Sequence, residues 1–444
     1  MTSIGRPKNR VAVIGAGMSG LVVAKRLKAE GMKVTIYERQ TGPGGVWKFT
    51  RNADGIFATA AYETLESNFI KYLMEFSDWP WKDDTLLFPN RESVEQYLQT
   101  YSTGLDIEYD TEVIDIFGRS RIQPNDWQVK TRNCKSGEEV KRDFNAVVIA
   151  IGTFDKPYVP NCIGLEEWKS MHPGSISHSK SYRDADTEAF RGKNVVVVGN
   201  AASGRDISLR LAEVTKKLWV SSTRPNGRSH KRAIPVKGTK RLVPEKRLIE
   251  FEGNEEAREV DNIIYCTGYL YNTPFLRKGK NARTSLFPNN FYMDDLYEHI
   301  FWTKRPTLSF VGVPKLGPTF LISQAQSAVI ARCLSTGLTP TAQVMAGWIN
   351  DEKARHKERT YHGLPYPKCK EYIVRLEEWY LEVDEVALDK APEGNKPFRW
   401  TDRLDWMMKS NAAIRRAFAA KKRLERQSFT TPESLGFVET KSNK

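Results

Sequence analysis

Cysteine is sparse in this sequence, and no two cysteines form a CxxC or CxxxxC pair. The five that occur, Cys134, Cys162, Cys266, Cys333 and Cys369, are scattered and odd in number. That pattern speaks against a redox-active disulfide and for a reducing, cytoplasmic setting. The six histidines show no metal-ligand spacing. His356 and His362, six apart, read as exposed residues, and no metal site is expected. No Ser-His-Asp or Cys-His arrangement marks a protein nucleophile. Long apolar runs are missing as well. None approaches the roughly 18 residues of a membrane helix, and Met1 to Lys8 lack the apolar core of a signal peptide. The net charge of +14 comes without a recognised nucleic-acid motif, so no nucleic-acid partner is expected. Part of the excess lies in residues 391–444, with 12 Lys+Arg against 6 Asp+Glu. There Arg415-Arg416 and Lys421 to Arg426 fall on an alanine-rich helical stretch and read as a solvated face. A basic surface also attracts an anionic nucleotide.

What the chain does have is two glycine fingerprints, about 185 residues apart, each between an apolar strand and a small-residue helix. The first is Val11-Ala-Val-Ile-Gly15-Ala-Gly17-Met-Ser-Gly20. Val11 to Ile14 read as a buried parallel strand. Gly15 makes the tight turn, Gly17 lets backbone approach a pyrophosphate, and Gly20 lets the helix 19–30 pack on its strand. The helix start aims N–H groups at the phosphates. A second strand, Val34 to Tyr37, ends at Glu38, 21 residues after Gly17, near the spacing expected for the acid on a ribose 2′-hydroxyl. A carboxylate repels a 2′-phosphate, so this site should hold FAD or NAD rather than NADP.

The second fingerprint is Val195-Val-Val-Val-Gly199-Asn-Ala201-Ala-Ser203-Gly204. Ala201 replaces the middle glycine, and its methyl group crowds the phosphate approach without forbidding it. The next strand, Leu218 to Ser222, ends in Thr223-Arg224, with Lys231 and Arg232 beyond and no carboxylate. Arg224 suits a 2′-phosphate, which makes this an expected NADPH site. Two readings stay open for Lys231 and Arg232, nucleotide contact and solvated face.

A chain of 444 residues implies two or three domains, and the 40% hydrophobic content fits a globular enzyme. Strand-like closing segments follow each unit, Ala146 to Gly152 and Asp261 to Gly268. The chain then returns to an apolar segment, Thr307 to Val313, and a helical stretch, Phe320 to Leu334. The expected fold is α/β with two Rossmann-like dinucleotide-binding domains, the NADPH domain inserted into the FAD domain. The borders are set at 1–165 with 285–444 for FAD and 166–284 for NADPH. The helix after the loop Pro314–Thr319 either points its positive end at the flavin or is simply capped by Thr319.

These residues resemble the flavin-containing monooxygenases, class B flavoproteins, in their shorter soluble form. Besides both fingerprints, the likeness includes Gly44-Gly45-Val-Trp47, Phe88-Pro89 before Tyr97-Leu98 and Tyr101, and Cys266-Thr-Gly-Tyr269 followed by Pro274-Phe275. The family signature FxGxxxHxxx(Y/F) aligns on His172-Pro-Gly174 through His178 to Tyr182, with His172 in place of the phenylalanine. Baeyer–Villiger monooxygenases end that signature in Trp-Pro. Here Tyr182-Arg183 stands instead, which favours heteroatom oxygenation. His178 and Tyr182 are taken as structural. Asn68 matches the asparagine that reaches toward flavin and nicotinamide; without the resemblance, a turn-capping asparagine stays as the lesser alternative. The resemblance leaves the segment from about 340 undefined and implies no C-terminal membrane anchor.

By this resemblance, NADPH reduces FAD, reduced FAD and O2 form a C4a-hydroperoxide, and a nucleophilic nitrogen or sulfur of a small amine, thioether or thiol takes the distal oxygen. The protein positions and shields this chemistry. Cofactor contacts are expected from Gly15, Gly17, Gly20, Glu38, Gly45 and Trp47, and from Gly199, Ala201, Ser203, Gly204 and Arg224, with Asn68 at the reaction centre. The alternatives are a Baeyer–Villiger enzyme acting on a ketone and a dinucleotide-binding sensor without turnover. A disulfide reductase would need the missing cysteine pair. Assembly into a homo-oligomer stays open.

Overall fold

A computed structural model describes residues 1–3, 9–52, 55, 57–118, 126–223, 231–276, 290–387, 389–422 and 424–439. The chain divides into two compact units. One comprises Met1–Lys48, Glu66–Thr153 and Tyr271–Lys444, the other Phe49–Leu65 and Phe154–Leu270.

The first unit is built on a seven-stranded sheet in the order Leu296–Tyr297, Phe301–Trp302, Leu308–Phe310, Ala146–Ile149, Arg10–Ile14, Lys33–Tyr37, Ile107–Glu108. Its last five strands run parallel. The β-branched run Val11 to Ile14 is buried on both faces, as a central parallel strand requires. The returning segment Leu308–Phe310 pairs with Ala146–Ile149, which places it beside the first βαβ unit as its apolar pattern predicted. The helix Thr319–Thr336 is buried from Phe320 to Leu334 and packs on Met18–Ala29. Several of its polar side chains find partners inside, though Ser327 Oγ finds none among the described residues. Ser323 Oγ lies 2.9 Å from Ser19 Oγ, Gln324 accepts the Ser77 N–H at 2.7 Å, and Gln326 accepts the Gly312 N–H at 2.9 Å.

The second unit carries a five-stranded parallel sheet in the order Ile176–His178, Asn262–Tyr265, Asn194–Val198, Lys217–Ser221, Ala233–Val236. The architecture is α/β with two Rossmann-like units, one inserted in the chain of the other. Contacts draw the borders at 153/154 and 270/271, where the sequence reading set 165/166 and 284/285. They also assign Phe49–Leu65 to the second unit. Side chains hold that excursion. Arg183 donates to the carbonyls of Thr50 at 2.8 Å and Thr59 at 3.1 Å. Arg210 donates to the Thr64 carbonyl at 2.7 Å, and the Tyr62 hydroxyl donates to Asp206.

Two expectations about exposure are corrected. His362 is buried, not exposed. Its Nε2 accepts the Met293 N–H at 2.9 Å, so Nδ1 carries the proton and donates to His299 Nδ1 at 2.9 Å. A neutral imidazole with both nitrogens satisfied can be buried at little cost. Arg415 and Arg426 do not lie on a solvated face either. Both are partly buried and pair with Glu66.

Candidate active site

The two fingerprints close in the same way. Gly15 and Gly199 each have φ of +104°, and their N–H groups donate at 2.8 Å to the carbonyls of Tyr37 and Ser221. A β-carbon on Gly15 would stand 2.7 Å from the Ala150 carbonyl oxygen, and one on Gly199 2.5 Å from that of Cys266. A β-carbon on Gly20 would overlap the Gly15 carbonyl oxygen, and one on Gly204 that of Gly199. Packing alone therefore demands glycine at these four positions.

The middle position obeys a different rule. A β-carbon on Gly17 would meet nothing closer than the Gly45 Cα at 3.5 Å, an ordinary contact. The protein itself leaves that space open, and a pyrophosphate approaching the backbone would use it. The counterpart, Ala201, is exposed. Gly17 and Ala201 are the N-cap residues of Met18–Ala29 and Ala202–Val214, and neither helix start is capped by a side chain. Ser203 lies in the first turn of the second helix. By contrast Asn90, Thr341 and Thr401 each accept a first-turn N–H at their own helices. Open N–H groups at a helix start suit a phosphate. The helix Thr319–Thr336 also starts without a side-chain cap, its N-cap being Pro318, so Thr319 does not serve as the cap.

In the first unit the loop is clamped at the Ala16 peptide. Glu38 Oε2 accepts the Ala16 N–H at 2.7 Å, and Oε1 accepts the Gln40 N–H at 2.9 Å. Burial pushes this carboxyl up, and the two N–H donors oppose the shift. Each oxygen keeps acceptor capacity for a ribose hydroxyl. The Ala16 carbonyl accepts the Gly44 N–H at 3.0 Å. The chain then turns through Gly45, at φ +57°, into the short 3-10 turn Gly45–Trp47, and Trp47 packs half-buried against the core that contains Ala16 and Leu21. Glu38 and the Gly44–Gly45 turn thus both reach the Ala16–Gly17 backbone.

In the second unit the sheet register pairs Val198 with Ser221 as Ile14 pairs with Tyr37, which makes Ser222 the counterpart of Glu38. Ser222 donates its N–H to the Val236 carbonyl at 3.0 Å and offers no carboxylate. Arg224 lies outside the described residues. Arg232 is exposed and faces Glu213 at 3.4 Å, and Lys231 is exposed. The residues at both loops fit a dinucleotide, the first one without a 2′-phosphate.

Asn68 lies in the first unit on a separate segment, and no hydrogen bond joins it to the fingerprint among the described residues. The segment is held by Ser67, whose N–H donates to the Pro89 carbonyl at 2.9 Å, and by the bridge between Glu66 and Asn90. The Asn68 side chain is exposed and makes no hydrogen bond among the described residues, so it does not cap a turn.

Residues 8–230 match the family model of flavin-binding monooxygenase-like proteins. The chain belongs to this family. The flavin-containing monooxygenase FMO GS-OX4 of Arabidopsis thaliana is 31% identical over 388 residues, which cover 80% of this chain and 79% of the relative. The thiol-specific monooxygenase of Saccharomyces cerevisiae is 28% identical over 420 residues, covering 89% and 90%. Among solved structures, the S-allyl-L-cysteine S-oxygenase from Allium sativum superposes with a TM-score of 0.77 at 25% identity, covering 96% of each chain. The protein is thus an enzyme, a flavin-dependent monooxygenase.

Within this monooxygenase the signature residues hold the second unit together. His178 accepts the Lys180 N–H at Nδ1, 3.1 Å away, so Nε2 carries the proton and donates to the Gly268 carbonyl at 3.1 Å. Burial lowers its pKa to about 4. Tyr182 packs edge-on against Tyr62, with ring centroids 5.3 Å apart. His172 packs edge-to-face on Trp168 at 5.2 Å, where the signature has phenylalanine. Cys266 is buried and holds the place that Ala150 holds in the first unit: its Cβ would be 3.3 Å from a β-carbon on Gly204, as Ala150 Cβ would be from one on Gly20. Desolvation pushes its thiol up to about 12. It is a packing residue. All five cysteines are unpaired. Among the described residues no helix is long and apolar enough to cross a membrane.

The sequence reading missed Asn411, Arg415 and Arg426. All three come from the C-terminal segment and all three touch the Asn68 segment. Their spacing carries no motif. Only the pairing of arginines with an alanine-rich helix was visible, and that pattern also describes a surface helix.

Proposed function

We propose that the enzyme binds FAD at the first fingerprint and NADPH at the second, and that it transfers one oxygen atom of O2 to a nucleophilic sulfur, a thiol or thioether, of a small molecule. The observation that carries the cofactor assignment is the contrast at equivalent strand ends, Glu38 in one unit and Ser222 in the other. A buried carboxylate accepts a ribose hydroxyl and rejects a phosphate, while a serine followed by Arg224 admits one. The preference for sulfur is supported by the relatives, which are named as thiol-specific and as S-oxygenases. The borders of the FAD and NADPH domains follow the two units.

When bound, the flavin accepts hydride from NADPH and, with O2, supplies the oxygen atom. For a thioether the balance is one thioether, one O2, one NADPH and one proton giving one sulfoxide, one water and one NADP+. The chain's own residues bind and shield. Backbone N–H groups after Gly17 hold the FAD pyrophosphate, Glu38 the ribose, and the Gly45–Trp47 turn closes the loop. Gly199, Ala201, Ser203 and Gly204 receive the NADPH pyrophosphate, with Arg224 on the 2′-phosphate. Asn68 offers an exposed amide, donor and acceptor together, to flavin or nicotinamide without introducing an acid. Exclusion of water keeps the oxygen transfer productive.

The test is a flavin spectrum followed by turnover. The purified protein should be yellow, bleach with NADPH faster than with NADH, and form sulfoxide or sulfenate in proportion to NADPH consumed. A product found only with amines would move the acceptor to nitrogen, and oxygen insertion into ketones alone would make the enzyme a Baeyer–Villiger type.

A further inference from the structure

We infer that the C-terminal helix Asp402–Ala420 is part of the catalytic scaffold, with Asn411 as the positioning residue for Asn68. This rests on the reading of Asn68 given above. Asn411 reaches across 343 residues of sequence and clamps the segment with both ends of its amide. Its Nδ2 donates to the Asn68 carbonyl at 3.0 Å, and its Oδ1 accepts the Ile70 N–H at 3.1 Å. Among the described residues no other group hydrogen-bonds the Asn68 carbonyl. The two bonds fix the peptides on either side of Phe69, and so set where the Asn68 side chain leaves the backbone.

The same helix and the 3-10 turn Glu425–Ser428 after it hold the other end of the segment. Arg415 Nη1 lies 3.1 Å from Glu66 Oε2, and Arg426 Nη1 lies 3.3 Å from Glu66 Oε1. The Arg415 guanidinium also stands 4.8 Å from the centroid of the Phe88 ring, which packs on Phe418 at 5.0 Å. Phe88 adjoins Pro89, whose carbonyl holds the Ser67 N–H. Glu66, Ser67, Asn68 and Ile70 are therefore each tied to this helix or to residues packed on it. A side-chain amide serves this purpose well, because it presents one donor and one acceptor at fixed separation and carries no charge. The basic character of this C-terminal stretch has a local purpose too. Two arginines on one carboxylate anchor the stretch that leads to Asn68.

The experiment compares product formed per NADPH consumed, with hydrogen peroxide counted beside it, in the flavin-loaded full-length enzyme. The variants are Asn411→Leu, Asn68→Ala and the double variant. Asn411→Leu should keep its flavin and lower the coupling ratio by roughly tenfold, the rate equivalent of about 1.4 kcal/mol, with peroxide rising in step. The double variant should be no worse than Asn68→Ala, because Asn411 acts through Asn68. Parent-like coupling in Asn411→Leu overturns the inference, and so does a second, independent loss on top of Asn68→Ala. Parent-like coupling in Asn68→Ala is the separate signature of a failed Asn68 reading. If Asn411→Leu does not fold, Arg415→Gln supplies the second reading, with a smaller coupling loss expected and an unchanged ratio counting against the scaffold.

Discussion

Gly17 and Gly45 meet backbone to backbone, and the contact is asymmetric. A β-carbon on Gly45 would stand 2.8 Å from the Gly17 Cα, whereas one on Gly17 would reach only to 3.5 Å from the Gly45 Cα. Gly45 also has φ of +57°, a conformation that costs other residues about 1–2 kcal/mol. The two glycines should therefore fail differently. Gly45→Ala is expected to lower the melting temperature of the flavin-free protein, and Gly17→Ala to leave it nearly unchanged while flavin binding weakens. Thermal melts of the apoprotein and a flavin titration separate the two; equal melts with full flavin binding in Gly17→Ala would mean that no pyrophosphate passes there.

Glu38 has a double duty, since the carboxylate that would hold the ribose also holds the loop. In Glu38→Gln one oxygen becomes an NH2 group, which must face either the Ala16 or the Gln40 N–H. One buried donor then loses its partner, at about 1–3 kcal/mol. Weaker FAD retention together with a lower melting temperature is the expected result, read by dialysis against buffer and by thermal melt. FAD retention equal to the parent would separate Glu38 from the ribose.

Nucleotide choice should respond at the second strand end. Ser222→Glu places a carboxylate at the counterpart of Glu38, and Arg224→Ala removes the cation expected at the 2′-phosphate. Each should weaken NADPH by about ten- to a hundredfold, the equivalent of roughly 1.5–3 kcal/mol for a charge-assisted contact, with little change for NADH. Steady-state KM values for the two nucleotides provide the check. Equal losses for both would assign these positions to folding.

Buried neutral histidines make the fold acid-sensitive. The pKa of His178 falls to about 4 and that of His299 to about 3, against an ordinary 6.5, both chiefly through desolvation. Below pH 6.5 the unfolded chain takes up protons that the native chain refuses. Stability is therefore complete above about pH 6.5 and declines as pH falls toward 4, by up to about 1.4 kcal/mol per pH unit per histidine. His178→Gln should flatten part of that decline in a series of melts from pH 7 to pH 4. A slope identical to the parent's would show that His178 is not among the groups responsible.

The elements legible in the sequence are those whose chemistry is local. The glycine turns, the valine-rich strands and the distance from Gly17 to Glu38 are set by backbone sterics and by the fixed length of a βαβ unit, so a stretch of some thirty residues carries the whole signal. The return of Leu308–Phe310 to the first sheet was legible too, because a short apolar run after the second closing strand suits a buried parallel strand. Other features are decided by tertiary structure. Phe49–Leu65 belongs to the second unit because Arg183 and Arg210 capture its carbonyls, and hydrogen bonds of that kind leave no periodic trace. His362 is buried because His299 and Met293 satisfy it, which no spacing announces. The Asn411 clamp spans 343 residues. In the sequence its residues look like a basic surface helix, and only packing brings one amide against the Asn68 carbonyl and the Ile70 N–H, turning that helix into the support of the Asn68 segment.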